Sequence, residues 1–211
     1  MKRLLLLVIM FFSFAANAAE PLPIKLVGQP KQAELVSKME AYLNTLQSFD
    51  TEFVQTAAGE KTTGRFYLKR PGKFRWEYLT GRQALIIGSN SLIVYYDKGL
   101  NEVTHIPAKD TIANFLARKQ IKLSGDIKVL SATEDGDVLR LVITQSKNPA
   151  DGKLVLFFAK NPMQLTAMHV VDQDRNLTEI EFASSKFNPK LADDIFIFKN
   201  PKFYKNVWEK K

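Results

Sequence analysis

His105 and His169 are the only histidines in this 211-residue chain, and each stands alone in a strand-like run. Neither has a second histidine at the H-x-x-H or H-E-x-x-H spacing that turns one helix face into a metal site. A lone imidazole in such a run ordinarily faces solvent or makes a structural bond. The turn Gly88-Ser89-Asn90-Ser91 lacks the G-x-S-x-G order of a nucleophile elbow. Asp172 with Asp174, and Asp193 with Asp194, set carboxylates in pairs beside turns. A calcium loop needs a longer series of oxygen ligands, so turn formation and capping account for these pairs. No glycine loop of the kind that cradles phosphate is present. Catalytic residues, a metal and a cofactor are therefore not expected, and binding is the favoured class of function.

The residues best suited to binding are aromatic. In Gly64 to Tyr78, GRFYLKRPGKFRWEY, two alternating runs hinge on Lys69-Arg70-Pro71-Gly72. Phe66 and Leu68 share one strand face, with Arg65, Tyr67 and Lys69 on the other; Phe74, Trp76 and Tyr78 share a face opposite Lys73, Arg75 and Glu77. A period of two puts one face on apolar material and the other in water. Side chains this large either fill a sheet core or line a cavity for a greasy ligand.

These runs follow what reads as a secretory leader. Lys2 and Arg3 form a positive n-region, Leu4 to Phe14 an apolar h-region, and Ala16-Asn17-Ala18 a small-residue cleavage site. The apolar run is shorter than the ~20 residues that cross a bilayer. Residues 1–18 are thus expected to be removed, leaving Ala19 to Lys211 as one exported, soluble domain. The chain has no cysteine, so lipid attachment at a cleavage-site cysteine is not available to it. The formal charge is +8, of which Lys2 and Arg3 leave with the leader. Export argues against nucleic acid, and scattered lysines suit solubility with some steering towards membrane or partner surfaces. The basic aromatic segment Lys199 to Lys211, with Phe203, Tyr204 and Trp208, suits a closing strand plus tail or a membrane-surface contact.

The elements that must position the aromatics are legible as periodicities. Leu35, Met39, Tyr42 and Leu46 recur at spacings of three or four and predict one helix over Lys31 to Leu46, with Phe49 continuing the stripe. About a dozen short strand patterns follow, from Asp50–Ala57 through Leu177–Ser184 to Ile195–Phe198, separated by turns such as Pro71-Gly72, Asp135-Gly136 and Asp151-Gly152. Around Lys109 to Lys119 the period breaks. There Asp110 or Thr111 can cap a short helix presenting Ile112, Phe115 and Leu116. The expectation is mainly β with α: a strongly curved antiparallel meander whose concave face meets the helices. Pattern alone leaves open whether that junction is packed core or a cavity under a lid.

The whole region after the leader resembles the periplasmic outer-membrane lipoprotein carrier family, of LolA type. The resemblance is carried by Leu46-Gln47-Ser48-Phe49 followed by Phe53-Val54-Gln55-Thr56, then Gly64 to Pro71 with Phe74-Arg75-Trp76-Glu77-Tyr78. Ile93-Val94-Tyr95-Tyr96-Asp97 and the lid-like Thr111 to Arg118 follow in order. It implies an incomplete β-barrel covered by a lid of short α-helices, with an apolar interior that shields acyl chains across the periplasm. Phe66, Leu68, Phe74, Trp76 and Tyr78 then become cavity residues, and Ile112, Phe115 and Leu116 the apolar face of the lid. Arg70 takes the position of the arginine that reaches the lid and holds the unloaded form shut; an exposed turn arginine is the alternative. The implied partners are acylated lipoproteins as cargo, an inner-membrane ATP-driven exporter and an outer-membrane receptor, with the carrier itself a monomer. The receptor shares the fold, and the missing cysteine favours the soluble carrier. Competing readings on the same fold are a phospholipid or glycolipid shuttle and a lipoprotein-sensing regulatory module.

Overall fold

The computed structural model describes residues 29–81, 83–89, 91–108 and 114–201. The leader, Arg82, Asn90, the helix-capping positions and Ile112 of the 109–113 segment, and the tail beyond Pro201 lie outside them.

Helix α1 spans Gln29–Thr45. It buries Leu35, Met39 and Leu43, with Leu46 just beyond its end and Tyr42 partly covered. The stripe is the expected one with Leu43 added, which widens the apolar face to that of a helix packed on a sheet. Eleven strands follow: β1 (Ser48–Ala57), β2 (Glu60–Lys69), β3 (Lys73–Tyr78), β4 (Ala84–Ser89), β5 (Leu92–Asp97), β6 (Glu102–Pro107), β7 (Ile127–Asp135), β8 (Val138–Gln145), β9 (Gly152–Lys160), β10 (Met163–Asp172) and β11 (Leu177–Phe187). They form one antiparallel sheet in the order β6-β5-β4-β3-β2-β1-β11-β10-β9-β8-β7. The chain meanders from β1 out to one edge, crosses to the far edge, and meanders back until β11 pairs with β1.

The sheet does not close: β6 and β7 are its two ends. Shifts of register at Asp50/Glu52 in β1, Val129/Ser131 in β7 and Leu165/Ala167 in β10 are bulges, which bend strands and raise local twist. The result is an incomplete barrel whose inner face holds one continuous apolar cluster with α1. The segment joining β6 to β7 must pass from edge to edge, and this is where the sequence loses its strand period.

One expected strand is absent. Ile195–Phe198 alternates like a strand, yet Asp193–Phe196 forms a 3-10 turn and no strand among the described residues pairs with it. The reason lies in β4, where Ala84, Leu85, Ile86 and Ile87 are all buried. Leu85 and Ile87 belong to a second apolar cluster with Tyr96, against which Phe198 packs. The C-terminal segment is therefore a strap over the sheet's outer face, with Phe198 and Tyr96 ring centroids 5.4 Å apart.

Candidate functional site

The β2–β3 hairpin supplies the centre of the inner face. Its register sets Phe66 opposite Trp76, Leu68 opposite Phe74 and Gly64 opposite Tyr78. All five predicted aromatic and leucine positions, Phe66, Leu68, Phe74, Trp76 and Tyr78, point the same way and are buried. The Phe66 and Trp76 rings stack with centroids 4.0 Å apart and planes 21° from parallel. Phe53 meets Trp76 edge-on at 4.9 Å and Tyr78 at 5.3 Å. Such offset and edge-to-face pairs satisfy the ring quadrupoles and add roughly 0.5–1.5 kcal/mol each beyond burial. The Tyr78 hydroxyl donates to Gln55 Oε1 at 2.9 Å, which gives this apolar face one satisfied polar pair.

Two glycines make the arrangement possible. A Cβ on Gly64 would run into the Phe53 ring, and one on Gly88 into the ring of Phe74. Each glycine leaves a bare stretch of backbone that lets a ring come close. Phe49, Phe53 and half-buried Phe182 complete the aromatic surface, Phe182 lying 5.4 Å from Phe49 and 6.2 Å from Phe66. Sequence pattern alone did not single out these three as ligand-facing. The alternation Phe49-Thr51-Phe53-Gln55 carried the signal, and β11 joins them only through its distant pairing with β1.

The segment between β6 and β7 covers this face. Phe115 and Leu116 are buried in the main cluster together with Ala117, Ile121 and Leu123. Among the described residues Asn114 is 3-10 helical and Phe115–Ala117 form a turn: Ala117 N–H donates to Asn114 O at 3.1 Å, and Arg118 N–H to Phe115 O at 3.3 Å. It is held at two places. At the hairpin, Arg70 Nε donates to the Leu116 carbonyl at 2.7 Å and Gly72 N–H to the Ala117 carbonyl at 2.6 Å. At α1, Asn44 exchanges two 2.9 Å bonds with the Ile121 backbone, and Leu123 N–H donates to Glu40 Oε2 at 2.6 Å. Glu40 and Asn44, one helical turn apart on α1, were not anticipated as covering-segment contacts. Nothing in their local pattern points to a partner about 80 residues away.

Arg70 is 8% exposed. Burial pulls its pKa down to about 10, so it remains a cation at neutral pH. Its Nη1 and Nη2, and Asn114 Oδ1 in the covering segment, are buried without a hydrogen-bond partner among the described residues. Elsewhere, His105 sits exposed on edge strand β6, and His169 on β10 packs 4.5 Å from the Phe157 ring with burial lowering its pKa. No group of three or more His, Asp or Glu among the described residues is placed to hold a metal ion. No described helix is long and apolar enough to cross a membrane.

Residues 44–199 match the family model described as outer membrane lipoprotein carrier protein LolA. The chain belongs to the LolA family. Among its relatives, an outer-membrane lipoprotein carrier protein of Chromobacterium violaceum is 28% identical over 82% of this chain and 87% of its own. One from Methylococcus capsulatus is 26% identical over 85% of this chain and 91% of its own. A structure of an uncharacterized conserved protein from Thermus thermophilus superposes with a TM-score of 0.50 at 12% identity, covering 80% of this chain and 94% of that one. That likeness is one of fold. The LolA family is described as one of carrier proteins.

Proposed function

We propose that this chain is a periplasmic carrier that encloses the acyl chains of lipoproteins leaving the inner membrane and hands them to an outer-membrane receptor. The observation carrying this reading is the junction between the aromatic face and its covering segment. That segment is tied down by five hydrogen bonds, four of them through the side chains of Arg70, Asn44 and Glu40, while Arg70 Nη1, Arg70 Nη2 and Asn114 Oδ1 are buried without a partner among the described residues. Each hydrogen bond contributes only about 0.5–1.5 kcal/mol net, and each orphaned polar atom costs about 1–3. The polar contribution to closure is therefore small, and an acyl chain that replaces the apolar contacts of Phe115 and Leu116 can offset their loss on opening. In this reading Arg70 is the lid lock; Phe66, Leu68, Phe74, Trp76 and Tyr78 are the acyl-chain surface, and Phe115 and Leu116, with Ile112, the lid's apolar face.

The energetics suit transfer rather than storage. An acyl chain gains about 0.8 kcal/mol per buried methylene. The membrane offers the same gain, so a soluble carrier competes on even terms only. Loading must break the lid's bonds, which lowers net affinity for cargo. An ATP-driven exporter then supplies the work of extraction, and a receptor with a better-formed site takes the cargo onward. The leader at residues 1–18 and a single exported domain from Ala19 belong to the same proposal.

The test incubates the purified protein with cells stripped of outer membrane and radiolabelled in their lipoproteins. Energy-dependent appearance of lipoprotein in a soluble one-to-one complex is the expected result. Absence of release, with phospholipid or glycolipid found on the protein instead, moves the function to a lipid shuttle on this fold.

A further inference from the structure

Gln55 and Thr62 interrupt the apolar inner face at the end of the strands opposite Arg70. Gln55 continues the inward row of β1 after Phe49 and Phe53, is 7% exposed, and pairs with Thr62 across the β1–β2 ladder. Directly opposed residues of an antiparallel pair share a face, with Cβ atoms ~5 Å apart. Thr62 lies on the same inward row of β2 as Arg70, roughly 26 Å of strand away. Tyr78 ends the inward row of β3 beside them, and its hydroxyl donates to Gln55 Oε1 at 2.9 Å.

That bond occupies only the carbonyl end of the amide. The two Nε2 protons find no acceptor among the described residues, and Thr62 Oγ1 is buried with no partner among them. Buried polar groups are almost always paired, so orphans side by side on one face mark the place of a missing partner. Gln55, Thr62 and, at the same end of β11, buried Thr178 are uncharged amide and hydroxyl side chains. They suit a neutral dipole with an oxygen that accepts from the amide. A hydrocarbon chain leaving this end runs over Phe53, Phe66 and Trp76 towards Leu68 and Phe74.

We infer that Gln55 and Thr62 form a linkage subsite, which takes the carbonyl of a neutral ester or amide joining the ligand's hydrocarbon chain to the rest of the molecule. Gln55 Nε2 donates to the carbonyl oxygen, and the Thr62 hydroxyl bonds a second polar atom of the same linkage. This rests on the acyl-chain reading above and deepens it. The site distinguishes an acyl chain from bare hydrocarbon, and it fixes the direction in which the chain lies.

The test displaces an environment-sensitive apolar dye from the lipid-stripped protein with N-methyldecanamide, methyl decanoate and decane. It compares the unaltered chain with Gln55→Leu and Thr62→Val. Gln55→Leu should weaken the amide and the ester about tenfold, ~1.4 kcal/mol, while decane is little changed. Thr62→Val keeps the shape of the side chain and should weaken the amide about threefold, again sparing decane. A merely structural change would weaken all three ligands alike. Equal shifts for all three in both variants overturn the linkage subsite and leave the acyl-chain surface standing. Displacement by none of them from the unaltered protein overturns both. If Gln55→Leu fails to fold, Thr62→Val decides, and the absence of a selective loss there overturns the subsite.

Discussion

Lys69 Nζ lies 2.8 Å from Asp193 Oδ1, on the opposite side of the sheet from the lid contact made by its neighbour Arg70. Lys69 also donates to the Leu191 carbonyl at 2.7 Å, and Lys73 reaches the same Asp193 oxygen at 2.9 Å. One hairpin end therefore holds two segments: the C-terminal strap outside, through its lysines, and the lid inside, through Arg70 and Gly72.

The strap contact predicts an acid sensitivity. Hydrogen bonds from Lys69 and then Lys73 hold the Asp193 carboxyl at about 2, below its ordinary 3.8. A depressed carboxyl contributes stability that is complete above the unfolded value and is lost as pH falls through the folded one. The contribution should vanish between pH 3.8 and about 2. Asp193→Asn should therefore melt lower than the parent at pH 5 and converge with it near pH 2. Because the aspartate is exposed, added salt should narrow the gap. Parallel melting curves across that range would sink the idea.

His169 predicts a second pH effect with the opposite chemistry. Burial lowers its pKa below 6.5, outweighing the carboxylates of Glu179 and Glu181, while Arg140 pushes in the same direction as burial. Below pH 6.5 the unfolded chain takes up a proton that the folded chain resists, so stability falls as pH drops through that value. Above it the penalty is absent. His169→Gln should flatten the stability profile between pH 7 and 5.5 in urea titrations, and an unchanged slope would show that His169 does not cause it.

Gly88→Ala should cost about 1–3 kcal/mol, the usual range for overpacking. The added methyl would meet the Phe74 ring. Phe74→Leu in the same chain should recover part of the loss, since two residues in contact couple in a double-mutant cycle. Strict additivity in denaturant midpoints would mean the ring does not rest on Gly88.

Asn188 ties three segments together. Its Oδ1 accepts from Gln47 N–H at 2.7 Å and Ser48 N–H at 3.2 Å, its Nδ2 donates to the Thr45 carbonyl at 3.1 Å, and its φ is 54°. Asn188→Gly removes the side-chain bonds but keeps the left-handed backbone, and should cost about 1–3 kcal/mol. Asn188→Ala also imposes left-handed strain and should cost ~1–2 kcal/mol more. Equal losses in chemical denaturation would assign the effect to the bonds alone.

Local patterning was enough to identify the helix, eleven of the strand patterns and the shared face of Phe66, Leu68, Phe74, Trp76 and Tyr78, because a period of 3.6 or 2 is written into neighbouring residues. Turn chemistry at Pro71-Gly72 and Asp135-Gly136 located the hairpins for the same reason. Relations between distant segments needed the folded chain. Pairing of β1 with β11 brings Phe182 to Phe66, and the edge-to-edge crossing places Leu116 over Arg70 and Ile121 beside Asn44. Ile195–Phe198 shows the limit most plainly. Its alternation suits a strand, but Leu85 and Ile87 on the outer face of β4 need a cover, and Phe198 packs against their cluster with Tyr96. The sequence by itself determined which side chains share a face. Only the tertiary structure decided what each face meets, because that depends on contacts between residues far apart in the chain.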